Sequence, residues 1–134
     1  MYFADTFKGV VKAGKADTLY KGGEHANTSQ EIVTELLKRL DIKDYQLLVG
    51  IFPDDFKNFS SGAIKICHID VDTYLSAKEI VNFIWPRVIK GGVIIFDDYG
   101  FFGCEGVTKY VNELKLPDAR FVHNLNGHAL LIKK

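Results

Sequence analysis

Five aspartates stand at the ends of apolar runs: Asp5 after Tyr2-Phe3-Ala4, Asp70 and Asp72 after Ala63 to Ile69, and Asp97 and Asp98 after Val93 to Phe96. If those runs are parallel strands of an α/β sheet, their carboxyl ends share one rim, which is where ligands bind in such folds. Carboxylates gathered there repel one another, and no cluster of Arg or Lys accompanies them in the sequence. A hard divalent cation bound through oxygen resolves the conflict, and Mg²⁺ commonly keeps waters that a substrate oxygen can displace. Taken singly, each acid also suits a helix N-cap, since Asp72 and Asp98 both precede helices or turns. Taken together, they favour a metal.

The elements that must position these acids can be read from periodicity. Tyr2-Phe3-Ala4 reads as a strand that runs into a Gly- and Lys-rich loop through Gly23. Thr28-Ser29-Gln30-Glu31 has capping-box spacing, and Ile32, Val33, Leu36, Leu37 and Leu40 follow at helical intervals, which predicts a helix over about 29–40. Strands are predicted at Tyr45–Val49 and Ala63–Ile69, and their apolar continuity suggests burial on both faces. From Thr73, a stripe of Leu75, Ile80, Val81, Ile84 and Val88 predicts a second helix, with Pro86 near its end and Gly91-Gly92 as its stop. Val93–Phe96 is another strand, 104–115 a third helix, and 120–124 with 128–133 a closing hairpin around Asn126-Gly127. Alternating strands and helices imply a mostly parallel sheet covered on both faces, with an antiparallel edge.

Composition sets the frame. The 134 residues are 47% hydrophobic and 25% charged, enough for the core of one domain. Lys plus Arg and Asp plus Glu balance at 17 each, so no global field draws the chain to nucleic acid or an anionic membrane, and a small-molecule partner is expected. Neither a transmembrane run nor a signal peptide is visible, so a cytoplasmic location is the default.

The segments His68-Ile69-Asp70-Val71-Asp72-Thr73-Tyr74, Trp85-Pro86-Arg87, Lys90-Gly91-Gly92, Val93 to Gly100 and Gly103-Cys104 together resemble the macrocin O-methyltransferase (TylF-type) family. Phe3-Ala4-Asp5-Thr6-Phe7-Lys8-Gly9 is similar to that family's second strand and following loop, and Gly50 to Phe56 to the segment after its third. The resemblance implies a Rossmann-like class I methyltransferase sheet, and S-adenosylmethionine with a divalent metal, usually Mg²⁺, methylating a hydroxyl, often on a sugar of a natural product. By resemblance, Asp70, Asp97 and Asp98 would be metal ligands, Asp72 the general base, and Asp5 a partner for the ribose hydroxyls of the cofactor. The family's first strand and Gly-rich turn would precede Tyr2, so residues 1–134 are expected to form a single partial methyltransferase domain, truncated at its N-terminus. Such a chain is expected to fold but to bind S-adenosylmethionine poorly. Its strands at Tyr2 and Ile64 would either pair directly or leave open edges that favour a homo-oligomer. Two other readings stand beside the enzyme: a non-catalytic metal- or ligand-binding domain, and a subunit completed by another chain.

The remaining polar and aromatic candidates carry weaker signals. Cys67 and Cys104 lack metal-site spacing and read as reduced, packed thiols, although Cys104 lies near a helix start, where the dipole favours a thiolate. His68 reads as a strand residue facing a neighbouring element rather than as a ligand, His25 as a loop residue able to line the rim, and His128 as packed or solvent-facing. For Tyr99, Phe101 and Phe102 two readings stay open: covering an acceptor ring or packing on a partner subunit.

Overall fold

A computed structural model describes all 134 residues. Six strands and three α-helices alternate: β1 (Tyr2–Asp5), α1 (Gln30–Arg39), β2 (Gln46–Val49), β3 (Ile64–Ile69), α2 (Tyr74–Ile84), β4 (Val88–Phe96), α3 (Glu105–Glu113), β5 (Ala119–His123) and β6 (Ala129–Lys133). They do not form the single sheet expected. β1 pairs with β2 in parallel, while a second sheet has the order β3-β4-β6-β5, parallel between β3 and β4 and antiparallel thereafter. β1 and β3 are not hydrogen-bonded to each other, so the direct pairing that was one of two expected outcomes does not form.

The core lies between the four-stranded sheet and the pair α2–α3. Ile94 and Phe96 of β4, Val81 and Ala77 of α2, Val107 of α3 and Ala129 of β6 are each at most 1% exposed. Emptying a large site in such close packing, as Phe96→Ala would, belongs to the class of changes that cost about 3–5 kcal/mol. This packing fixes β4 and, with it, the acids at its end.

Away from that core, apolar continuity overstates burial. Ile66 of β3 is 66% exposed, and Ile32 and Leu36 of α1 and its C-cap Leu40 are all more than half exposed, leaving Leu37 as the helix's buried contact. The expected burial of the strands on both faces therefore fails at β2, where Val49 is exposed, and at β3. The cap of α1 is also shifted: Ser29, not Thr28, accepts from the Ile32 backbone N–H at 3.3 Å.

The stop assigned to Gly91-Gly92 is likewise corrected. α2 ends at Ile84, a 3₁₀ turn over Trp85–Arg87 turns the chain, and β4 has already begun at Val88. The two glycines sit inside β4 where the register against β3 shifts between Ile64 and Ile66. A side chain at Gly92 would meet Val88 and the Ile64 and Ile89 carbonyls, so this pair shapes a bulge rather than a helix terminus.

The long loop over residues 6–29 is tied down by specific contacts. Val10 N–H donates to the Glu24 carbonyl at 2.8 Å and Gly23 N–H to the Val10 carbonyl at 2.9 Å, closing the loop on itself. Gly9, at φ +82°, passes so close to the Gly23 and Glu24 carbonyls that any Cβ would collide with them. Farther on, Thr73 and Ser76 of α2 donate their hydroxyls to the Val11 carbonyl, at 3.1 and 3.2 Å.

Candidate functional site

β3 ends at Ile69 and β4 at Phe96, and the register pairs these two residues, so Asp70 and Asp97 leave adjacent strands at the same level. Carboxylate oxygens of Asp70, Asp97 and Asp98 all lie within 4.8 Å of one another. Asp98 is buried, 9% exposed, while Asp97 is half-buried and Asp70 exposed. Burial, with the neighbouring carboxylates adding to it, holds both Asp70 and Asp98 above the usual carboxylate range. The basic side chains beside this group are imidazoles rather than Lys or Arg: His68 Nε2 at 3.3 Å and His128 Nε2 at 2.9 Å, both from Asp97 Oδ1.

Asp72 does not follow the alternation of a continuing strand. Its backbone adopts φ +60°, a left-handed conformation that aspartate tolerates better than most residues, and its N–H donates to Asp98 Oδ2 at 3.1 Å. The Cys104 thiol lies 3.7 Å from Asp72 Oδ1 and 3.6 Å from Asp98 Oδ1. Asp72, Asp98 and Cys104 thus form a second close set that shares Asp98 with the first. The expectation that Asp70 and Asp72 point to one side is replaced by a division of labour around Asp98.

Cys104 occupies the N-cap of α3, yet the dipole does not make it a thiolate. Burial, then the Asp98 charge, push its thiol up to about 12. Burial alone raises Cys67 to about 11. Both cysteines are free, in keeping with the reading of reduced, packed thiols. Tyr20, brought over from the long loop, stands beside Asp72, and its hydroxyl is 4.0 Å from Cys104 Sγ and 3.4 Å from His25 Nε2. Burial and the Asp72 carboxylate hold that hydroxyl in its protonated form.

The turn from β3 into α2 is held by a residue that carries no local signal in the sequence. Thr73 is the N-cap of α2 but makes no capping bond. Asp17, 4% exposed, supplies one instead: its Oδ1 accepts from the Tyr74 N–H at 2.8 Å, and its Oδ2 from the Gly14 N–H at 2.8 Å. Asp5 stands apart from these sets: it ends β1 in the other sheet, and its Oδ1 accepts from the Phe7 N–H at 2.7 Å. Four of the five expected carboxylates therefore converge, and the fifth does not join them. Of the aromatic residues after Asp98, Tyr99 donates its hydroxyl to Asn112 at 2.9 Å, whereas Phe101 and Phe102 remain exposed.

Parallel strands delivering acids to one rim, helices packed on the sheet and a closing antiparallel hairpin define an α/β class I methyltransferase fold. Superposition supports this class. The structure of the O-methyltransferase NovP matches with a TM-score of 0.82 at 20% identity, over 98% of this chain and 59% of that one. A Streptococcus mutans protein solved in complex with SAH matches with a TM-score of 0.63 at 15% identity, over 99% of this chain and 75% of the other. The family described as Macrocin-O-methyltransferase (TylF) matches residues 1–124, and the chain belongs to that family. A curated relative from Streptomyces olivaceus, 8-demethyl-8-(2,3-dimethoxy-alpha-L-rhamnosyl)-tetracenomycin-C 4'-O-methyltransferase, is 27% identical over 113 residues, 78% of this chain and 43% of that protein. The chain spans less than half the length of the curated relatives it matches.

Proposed function

We propose that this chain forms the acid-lined part of an S-adenosylmethionine-dependent, divalent-metal-assisted O-methyltransferase that acts on a hydroxyl of a small molecule, a sugar of a natural product being the favoured acceptor. One observation carries the reading: Asp70, Asp97 and Asp98 bring their oxygens within 4.8 Å of one another with no Lys or Arg among their ion-pair partners. A set of hard oxygen donors fits Mg²⁺, and these three residues would hold it. The family membership, the rhamnosyl group in the name of the Streptomyces olivaceus relative and the SAH in the Streptococcus mutans structure support the cofactor and the acceptor class.

When bound, the metal would polarise the acceptor hydroxyl, and the cofactor would supply a methyl group on its sulfonium. Asp72 is placed to accept the proton of the acceptor hydroxyl, whose oxygen would then be the nucleophile toward that methyl group. Tyr20 stands beside the Asp72 carboxylate, and Asp98 fixes the Asp72 backbone by accepting its N–H. Asp5, with Oδ1 committed to Phe7, offers its other oxygen to the ribose hydroxyls of the cofactor. The balanced charge of the chain fits a small-molecule substrate rather than nucleic acid or a membrane, and no helix is long and apolar enough to cross one. A cytoplasmic homo-oligomer belongs to the same reading.

Calorimetry with Mg²⁺ or Mn²⁺ tests it: the parent chain binds, and Asp97→Ala and Asp98→Ala lose most of the affinity. Equal affinity in parent and variants would place the ion elsewhere. A second reading makes Asp72 a ligand, favoured by its place in the set with Asp98 and Cys104. Loss of metal binding in Asp72→Asn selects that reading over the base.

A further inference from the structure

We infer that His128, set by Asn124, is a positioning residue for Asp97: it donates its Nε2–H to Oδ1 and so leaves the remaining carboxylate lone pairs to a divalent cation. The inference rests on the reading of Asp70, Asp97 and Asp98 as metal ligands. It starts from the register of the antiparallel pair, in which Ala129 lies opposite Phe96 and brings His128 beside Asp97. His128 Nε2 is 2.9 Å from Asp97 Oδ1.

Which ring nitrogen carries the proton follows from the loop between β5 and β6. Asn124 Oδ1 accepts from the Asn126 N–H at 2.9 Å and from the His128 N–H at 3.1 Å. Two donors on one atom identify it as the carbonyl oxygen, so the amide group at the other end must be the NH₂. That Nδ2 lies 3.1 Å from His128 Nδ1 and donates to it. Nδ1 is therefore an acceptor without a proton, and Nε2 holds the hydrogen that points at Asp97. Flipping the amide would set its NH₂ against two backbone N–H donors and lose both of those bonds. The loop is wound to allow this, with Leu125 at φ +63° and Gly127 at φ +81°. From the opposite side, His68 on β3 reaches the same Oδ1 at 3.3 Å. The His128 bond to one oxygen of Asp97 is the kind of outer hydrogen bonding that orients a ligating carboxylate, and His68 stands close to the same oxygen.

Two measurements on the full chain test this. A long-range proton–nitrogen spectrum of the imidazoles should show His128 as the Nε2–H tautomer, and Asn124→Ala should relax that preference. Mn²⁺ binding followed by electron paramagnetic resonance should weaken about 10- to 100-fold in His128→Phe, which keeps ring bulk without a donor. His128→Gln, whose amide N–H can still reach Asp97, should recover part of that loss, and Asn124→Ala, at an exposed position, should show a smaller one. Circular dichroism of each variant should match the parent. An Nδ1–H tautomer overturns the inference. So does parental Mn²⁺ affinity in His128→Phe when Asp97→Ala has lost binding; that outcome leaves the metal reading standing. Absence of Mn²⁺ binding in the parent overturns the metal reading and this inference with it.

Discussion

Asp98→Asn should stabilise the chain without metal and destabilise it with metal. Asp98 is 9% exposed, and its carboxylate faces those of Asp70 and Asp97 within 4.8 Å and shares a second such set with Asp72. At an effective dielectric of about 20, two unit charges at that separation repel by about 3.5 kcal/mol. Exposure of Asp70, together with bonds from the Asp72 N–H and the Cys104 thiol, reduces the net penalty to roughly 1–3 kcal/mol. Asparagine removes the charge but keeps an oxygen for the Asp72 N–H. For a chain of this size, about 4 °C per kcal/mol gives a rise in Tm of roughly 4–12 °C at pH 8 in chelator. Because the folded pKa of Asp98 is raised, the stability linked to its protonated form is fully present below the ordinary carboxylate pKa. It is lost as pH rises through the folded value, so the gap between variant and parent should close on acidification. With Mg²⁺ at a hundred times its Kd, the parent gains about 2.7 kcal/mol that the variant lacks, and the order of melting should invert. Thermal melts by circular dichroism at pH 8, with chelator and with Mg²⁺, read all of this. A variant that melts below the parent in chelator would show that the carboxylate's hydrogen bonds outweigh its repulsion, and would refute the argument for an unneutralised cluster.

Three further outcomes follow from the same geometry. Asp72→Asn should lower methyl transfer by roughly two to four orders of magnitude in the active form of the protein while leaving Mg²⁺ affinity nearly unchanged, as turnover assays beside calorimetry would show. Gly106→Ala should destabilise the fold by about 2 kcal/mol or more in a denaturant melt, because its Cβ would fall on Asp17 Oδ1 and displace the acceptor that caps Tyr74. Cys104, with its thiol pushed up to about 12, should react with iodoacetamide at pH 7.5 far more slowly than in the urea-unfolded chain, as followed by mass spectrometry.

Much of the site was legible because its signals are local. An apolar run that stops at an acid marks both a strand and its carboxyl end, and this places Asp70, Asp97 and Asp98 without any tertiary knowledge. The signals that misled were also local. Gly91-Gly92 resembles a helix stop until the register of β4 against β3 shows a bulge. The alternation that put Asp72 beside Asp70 assumed a strand that ends at Ile69. Likewise, the apolar stripe of α1 marks a helix but not the depth at which it is buried.

What stayed hidden depends on distant pairs. Asp17 is 57 residues from the N–H it caps, and its own surroundings, Gly14-Lys15-Ala16-Asp17-Thr18, carry no helical signal. His128 is 31 residues from Asp97, and only the pairing of Ala129 with Phe96 brings them together. These long-range bonds do a different job from the acids themselves. Asp17 fixes the first turn of α2, Thr73 and Ser76 tie that turn to Val11, and Asp72 lies between this anchored turn and the end of β3. The same loop carries Tyr20 to the Asp72 carboxylate. A segment that reads in sequence as a polar connection is therefore what holds Asp72, and its anchoring contacts are as much a part of the candidate site as the carboxylates they surround.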